Sequence, residues 1–460
     1  MASETTQSLD KSVLWDVVEE HLDELEFGLA QFERALDHPL RTLDDVARGA
    51  ESRMLAHLDG LVIAGPKATR ILLDPVLSDP TSVLPERIAA SALLLVTVGE
   101  LDSLATFLSQ KNGAVRTAAV RGGALAGEGP IDGWALQRLR APAEQELAGL
   151  LELIAARGIE PPNLLAWLQS DIVEVVAAAV RAVRRGNPSL YLSVVEHLLG
   201  HSEPIVRLHA LVAGMAWGSA RAWQVCEHEA LASDQASPLA MSLYALSGAP
   251  DHHERLLAQL KRPKQRAHAL RALGHTGNLG LIPHLLEYLA SEVPNEAKLA
   301  AQAVATITGL DLGNEEFISA PSAPAAAPAK LPPASEDPEA RAALPPLPED
   351  DLDADLVPPP EAALSRPNRD AIRRWWSEKA CKFDVKRRHL AGQPISPDAV
   401  FGCLARGSLA GRHMAGLALL LYTGGRVWID TRARSARQRA QLEVARGIGV
   451  KFLPNPFGRW

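Results

Sequence analysis

Several groups of residues in this 460-residue sequence have the types that catalysis or ligation uses. Glu20 and Glu24 lie one helical turn apart, as carboxylates sharing acid and base work would. No basic or nucleophilic residue accompanies them, so they read as a solvated helix face. His252, His253, His268, His275 and His284 would suit a metal ion if several converged with a carboxylate. Their spacing follows turn positions instead, so no metal and no other cofactor is expected. Gly122, Gly123, Gly127, Gly129 and Gly133 have the composition of a phosphate loop, but no GK[ST] follows and no strand pattern precedes. Cys226, Cys381 and Cys403 are scattered and form no CxxC, which argues against a disulfide framework or a zinc site and for a reducing compartment. No Ser-His-Asp or Cys-His grouping stands out, so no catalytic residue is assigned.

The one stretch that suggests binding chemistry is Arg373-Arg374-Trp375-Trp376, followed by Arg432, Arg434, Arg437 and Arg439. Cations interleaved with tryptophan suit phosphate tracking and base stacking. They equally suit a small core around Trp375 or Trp376 with arginines facing acidic protein, and the charge distribution favours that or a protein partner. Residues 366–460 carry 19 Lys and Arg against 6 Asp and Glu, residues 310–365 carry 2 against 12, and residues 1–309 are net −11. An acidic body would repel a polyanion.

The elements that must position these residues are written as a repeat. With Glu174, Arg207, Ser237, Arg266 and Lys298 as equivalent marks, an alanine follows three residues later in every copy: Ala177, Ala210, Ala240, Ala269 and Ala301. Gly218, Gly248, Gly277 and Gly309 end four copies, Gly186 ends the first one residue late, and Arg116, Ala119 and Gly127 form an outlying copy. A period of about 30 residues with two short apolar runs predicts helical hairpins that bury their apolar faces only by stacking. In the last copy Leu281, Leu285, Leu286 and Leu289 line a first helix, and Leu299, Ala303 and Ile307 a second ended by Gly309. Pro204 and Pro238 suit first-turn positions, and Ser189, Ser237, Asp251 and Asn295 are read as helix caps. This is the pattern of an α-solenoid of HEAT-like repeats.

The expected fold class is therefore all-α, in four parts. Residues 1–66 form a helical hairpin, with Trp15, Val18, Leu22, Leu25, Leu29, Phe32 and Leu36 facing Leu43, Val46, Ala50, Met54, Leu58 and Leu61. Residues 67–309 form the solenoid. Residues 310–365, rich in Pro, Ala and acid, are a disordered linker whose Glu349–Asp355 run would fold back on the basic module. Residues 366–460 form a small basic helical module that starts at an Asn368 cap. The polar start MASETTQSLDK has no apolar segment and Leu93 to Val98 is too short to span a bilayer, so a cytoplasmic protein without a membrane role is expected.

EEHLDELEF at 19–27, Arg34-Ala35-Leu36 and LAHLDGLVIAG at 55–65 resemble the N-terminal signature of a proteobacterial family of uncharacterised HEAT-like proteins. The paired tryptophans and Gly392-Gln393-Pro394-Ile395 stand where that family carries its C-terminal region. Genes of the family often lie in type VI secretion clusters, so the resemblance implies a secretion effector, tip protein or adaptor as partner and transfers no catalytic residue. The expected function is a non-catalytic protein-binding scaffold, an accessory or co-chaperone in such a system. Its candidate partner-binding residues are Arg181, Arg184, Arg207, Arg271, Lys298, Arg373, Arg374, Trp375 and Trp376. The alternatives are an immunity or regulatory protein that blocks a toxin, and a nucleic-acid-binding HEAT protein similar to the alkylpurine glycosylases.

Overall fold

The computed structural model describes residues 13–233, 236–319 and 358–457. These are helical apart from turns and one two-stranded ribbon, and no helix among them is long and apolar enough to cross a membrane. The chain opens with α1 (Trp15–Leu36), α2 (Leu43–Val46) and α3 (Ser52–Ser78). The expected seam is buried from Val18 to Leu36, and so is every facing residue from Leu43 to Leu61, while Trp15 is half-buried. Gly65 (φ +86°) breaks α3, and Pro66 restarts it in the first-turn position that proline tolerates.

Helices α4 (Pro85–Val98), α5 (Leu101–Leu108), α6 (Gly113–Leu125), α7 (Pro130–Arg138) and α8 (Glu144–Ala156) begin a row of hairpins. The row continues with α9 (Leu164–Leu168), α10 (Val173–Ala182), α11 (Pro188–Leu198), α12 (Pro204–Ala216) and α13 (Ala220–Ala230). It ends with α14 (Pro238–Ser247), α15 (Pro250–Leu257), α16 (Pro263–His275), α17 (Ile282–Tyr288) and α18 (Pro294–Thr308). Even-numbered helices pack on one another from α4 to α12 and from α14 to α18. Ala119, Ala210, Ala240, Ala269 and Ala301 lie buried between them, where larger side chains would force the helices apart. In the first copy Ala177 is half-buried, while Ala178 and Ala179 after it are buried.

Four local expectations are corrected, three of them for one reason. Pro188, Pro250 and Pro294 each occupy the first helical turn, so the caps are Asn187, Ala249 and Val293, and Ser189, Asp251 and Asn295 lie inside their helices. Ser237 and Asn368 do cap, accepting from Ala240 N and Ala371 N. Fourth, residues assigned to the linker are packed at both ends. Phe317 is buried, Ile318 bridges Pro367, and Glu361 and Leu364 are buried. Pro321 to Val357, with the Glu349–Asp355 run, lies outside the described residues.

The C-terminal region comprises α19 (Arg369–Lys379), the ribbon of β1 (His389–Leu390) and β2 (Gln393–Pro394), α20 (Pro397–Arg406), α21 (Leu409–Tyr422) and α22 (Ser435–Gly447). It has a small core of its own around Val400, Leu404, Leu419 and Ile429. It also completes the core of the row: Ala371, Ile372, Leu417, Ala418, Leu420 and Leu421 share one apolar cluster with residues 164–317. Helix α21 packs on both α12 and α14.

Candidate partner-binding surface

The repeat mark has a structural job where it is arginine. Arg116 donates to Gln110 O and Lys111 O, Arg207 to His201 O and Ser202 O, and Arg266 to Leu260 O. Each reaches back five or six residues and ties its helix to the turn before it. Arg207, expected at a partner surface, is thus committed to its own turn.

The basic C-terminal region is laid along the C-terminal ends of the stacked helices. The last carbonyls of a helix lack intrahelical donors, and that end carries roughly half a negative charge. Arg388 supplies donors to two ends at once, Ala245 O and Leu246 O of α14 and His275 O and Thr276 O beside α16. His389 N donates to Gly277 O, and at α18 Ala391 N and Gly392 N donate to Thr306 O and Ile307 O. Tyr422 Oη and Asn455 Nδ2 return to α14 at Leu246 O and Ser247 O. Arg437 reaches Ala124 O of α6 and Arg157 O after α8. At the far end His413 Nε2 donates to Leu36 O of α1, while Arg432 and Arg439 pair with Asp37 and Asp44. The complementary sign appears where the buried Glu51 carboxylate accepts from Ser435 N at the N-terminus of α22.

Glycine makes this approach possible. Gly277 and Gly309 hold left-handed φ of +67° and +74°. A Cβ there would lie 2.7 Å from His389 O and Ala391 O respectively. The same residues end their helices and admit the ribbon.

Burial along this seam shapes its titration. Desolvation, reinforced by Arg184 and Arg181, holds the His209 imidazole down at about 3. Desolvation beside Arg388 does the same to His253, to about 3, and burial brings His275 to about 4. These rings are neutral at pH 7. For Asp37, burial pushes upward but hydrogen bonds from His413 and Arg432 outweigh it and hold the carboxyl at about 2. Burial also lifts the Cys403 thiol to about 11 and raises that of Cys226. A thiol so held is a poor nucleophile at neutral pH. Among the described residues no group of three or more His, Cys, Asp or Glu is placed to hold a metal ion.

The other predicted residues divide between this packing and the surface. Arg184 lies over the Trp428 ring, 5.0 Å from its centroid, with its Nε donating to Arg181 O. Arg271 pairs with Glu361 and Lys298 Nζ donates to Ala362 O, so both hold the 3-10 turn Pro360–Ala363 that leads toward α19. Arg373 donates to Leu286 O, and Trp375 packs edge-on to Phe317. Arg374 is exposed. Trp376 is half-buried, tilted against Phe383, and forms one wall of an open cleft of about 580 Å³. Leu279, Gly280 and Pro250 of the hairpin turns form the opposite wall, with Ala380, Val385 and Lys386 beside Trp376.

Sequence reasoning found Trp376 and missed Val385, Lys386 and Arg388. The signal available was the run Lys386-Arg387-Arg388-His389 after an isolated apolar residue. Nothing local tells Arg388, which is spent on helix ends, from its exposed neighbours. Compared with known protein families and with curated protein sequences, the chain matches none.

Proposed function

We propose that this chain is a non-catalytic protein-binding scaffold, an α-solenoid of HEAT-like repeats completed by its C-terminal region. The observation that carries this reading is the contrast between the seam and the cleft. The reactive side chains along the seam serve packing, whereas the cleft between Trp376 and the Leu279 turn is open, lined mostly by apolar residues and bordered by Lys386. A seated C-terminal region favours one rigid platform over two independently tethered sites, because α21 packs on both α12 and α14 and shares their apolar cluster. It also accounts for the basic charge without nucleic acid.

The resemblance of the 19–27 and 55–65 segments to proteins of secretion clusters makes a type VI secretion effector, tip protein or adaptor the partner we expect, in the cytoplasm. Tagging the chain in its native bacterium and purifying it after nuclease treatment tests this. Recovery of such a protein, reduced by Val385→Asp, supports the scaffold. Recovery only of nucleic-acid-binding proteins that nuclease removes would overturn it.

A further inference from the structure

We propose that the cleft between α19 and the Leu279 turn docks an acidic segment of a partner protein anchored by proline or leucine. This rests on the scaffold reading and specifies the chemistry of the partner. Three observations lead to it.

The base is apolar and unfilled by the described chain. Val385 is 73% exposed and stands beside the half-buried Trp376, facing the wall made by Leu279 and Pro250. A volume of about 580 Å³ holds a few side chains rather than a folded element. Aromatic walls spaced by aliphatic residues are what extended, proline-bearing segments use, because the preformed extended backbone loses little entropy on docking.

The cation in the lining and those next to it in sequence are unspent. Lys386 lines the cleft, and Lys379, Lys382 and Arg387 lie within a turn of lining residues. None of these four forms an ion pair with a described carboxylate. Of the other cations of the stretch, Arg369 pairs with Asp370, Arg373 donates to Leu286 O, Arg388 is spent on the helix ends and Arg374 is exposed. Of the nearby carboxylates, Glu378 adjoins Lys379, Asp384 accepts from Lys386 N and Asp251 stands next to Pro250, three against the five cations left unpaired. The stretch therefore keeps a positive excess, which steers an acidic ligand and selects against a basic one.

The geometry discriminates between polyanions. Tracking a single strand by stacking needs successive aromatic faces, and Trp376 is the one aromatic side chain among the residues that line the cleft. The cleft base accepts aliphatic groups, which a peptide supplies and a phosphate backbone does not.

The test uses the full chain and a fluorescent peptide copying residues 344–357, LPPLPEDDLDADLV, as a probe of this chemistry. Anisotropy at low salt is expected to show saturable binding that weakens at least tenfold in Val385→Asp and in the double variant Lys382→Glu, Lys386→Glu. Both variants should keep the parent's thermal melt. Binding should also weaken with added salt.

Binding that ignores Val385→Asp, or equal competition by an unlabelled DNA duplex, overturns the proposal. A second protein, with Glu349, Asp350, Asp351, Asp353 and Asp355 changed to their amides, closes the remaining gap. If only that protein binds the probe, the chain's own acidic run occupies the cleft and the partner assignment fails. If neither binds, the cleft takes no such segment. A native partner that still co-purifies with Val385→Asp leaves the scaffold standing without this site, whereas an empty co-purification removes the scaffold itself.

Discussion

Two sets of cations, less than one turn apart in the sequence, have opposite fates. Arg388 is turned inward and satisfies four carbonyls on two helix ends, while Lys386, two residues earlier, borders an open cleft. The same division separates Arg432, Arg437 and Arg439, which bind Asp37, backbone carbonyls and Asp44, from Lys379 and Lys382. What decides between them is whether helix-end carbonyls or a carboxylate lies opposite. Each such end offers unpaired carbonyls and a fixed partial charge, and a cation seated there contributes about 0.3–1 kcal/mol, up to about 2 where partly buried. Facing only solvent, a cation contributes little to stability and stays available to a ligand.

The largest test of this contrast removes the inner set altogether. A chain ending at Ser319 loses α21 from the apolar cluster and leaves the ends of α14, α16 and α18 without their donors. We expect it to lose cooperative unfolding by circular dichroism or to aggregate; a sharp melt near the parent's would show that the stack needs no cover.

Acid should loosen the seam next. An unfolded imidazole takes up its proton near pH 6.5, whereas folded His209 and His253 hold out to about 3 and His275 to about 4. Below pH 6.5 the unfolded chain binds more protons, so stability is whole above that pH and falls as pH drops. The slope is roughly 1.4 kcal/mol per pH unit for each ring that stays neutral. Urea midpoints at pH 7 and pH 5 should differ clearly, and His253→Gln should show a shallower loss.

Arg388→Ala should destabilise by about 3 kcal/mol, since it strips charged donors from four carbonyls. Asp37→Asn should cost at most about 1 kcal/mol at pH 7, the pKa shift being discounted for a side chain 36% exposed. Because a depressed carboxyl contributes stability above its unfolded pKa and loses it as pH falls toward the folded value of about 2, the difference between parent and variant should vanish near pH 2. Lys382→Ala and Arg374→Ala should stay within about 0.5 kcal/mol of the parent in the same urea titration. If they cost as much as Arg388→Ala, the division between inner and outer cations is wrong.

Much of the helix layout was legible because it rests on short-range spacing. The α1 seam, the buried alanines of α12, α14, α16 and α18, and the left-handed Gly218, Gly277 and Gly309 all follow from three- and four-residue periodicity and from glycine's freedom at positive φ. Where reading failed locally, a neighbour outweighed the residue singled out, as when Pro188, Pro250 and Pro294 moved the caps back past themselves. The candidate site was less legible. Of the nine residues proposed, Trp376 lines the cleft and Arg374 is exposed, while Arg184, Arg207, Arg271, Lys298 and Arg373 hold internal contacts.

By itself the sequence determined that this chain is helical, where most of its helices run, and that its charge is split between an acidic body and a basic C-terminal region. Those properties depend on residues a few positions apart and on composition. Only the tertiary structure decided that the basic region is laid along the helix ends, that α21 packs on both α12 and α14, and that Lys386 and Val385 border an opening while Arg388 does not. Those outcomes depend on carbonyls brought opposite the arginines from more than a hundred residues away, and a backbone carbonyl leaves no mark in the identity of the residue that carries it.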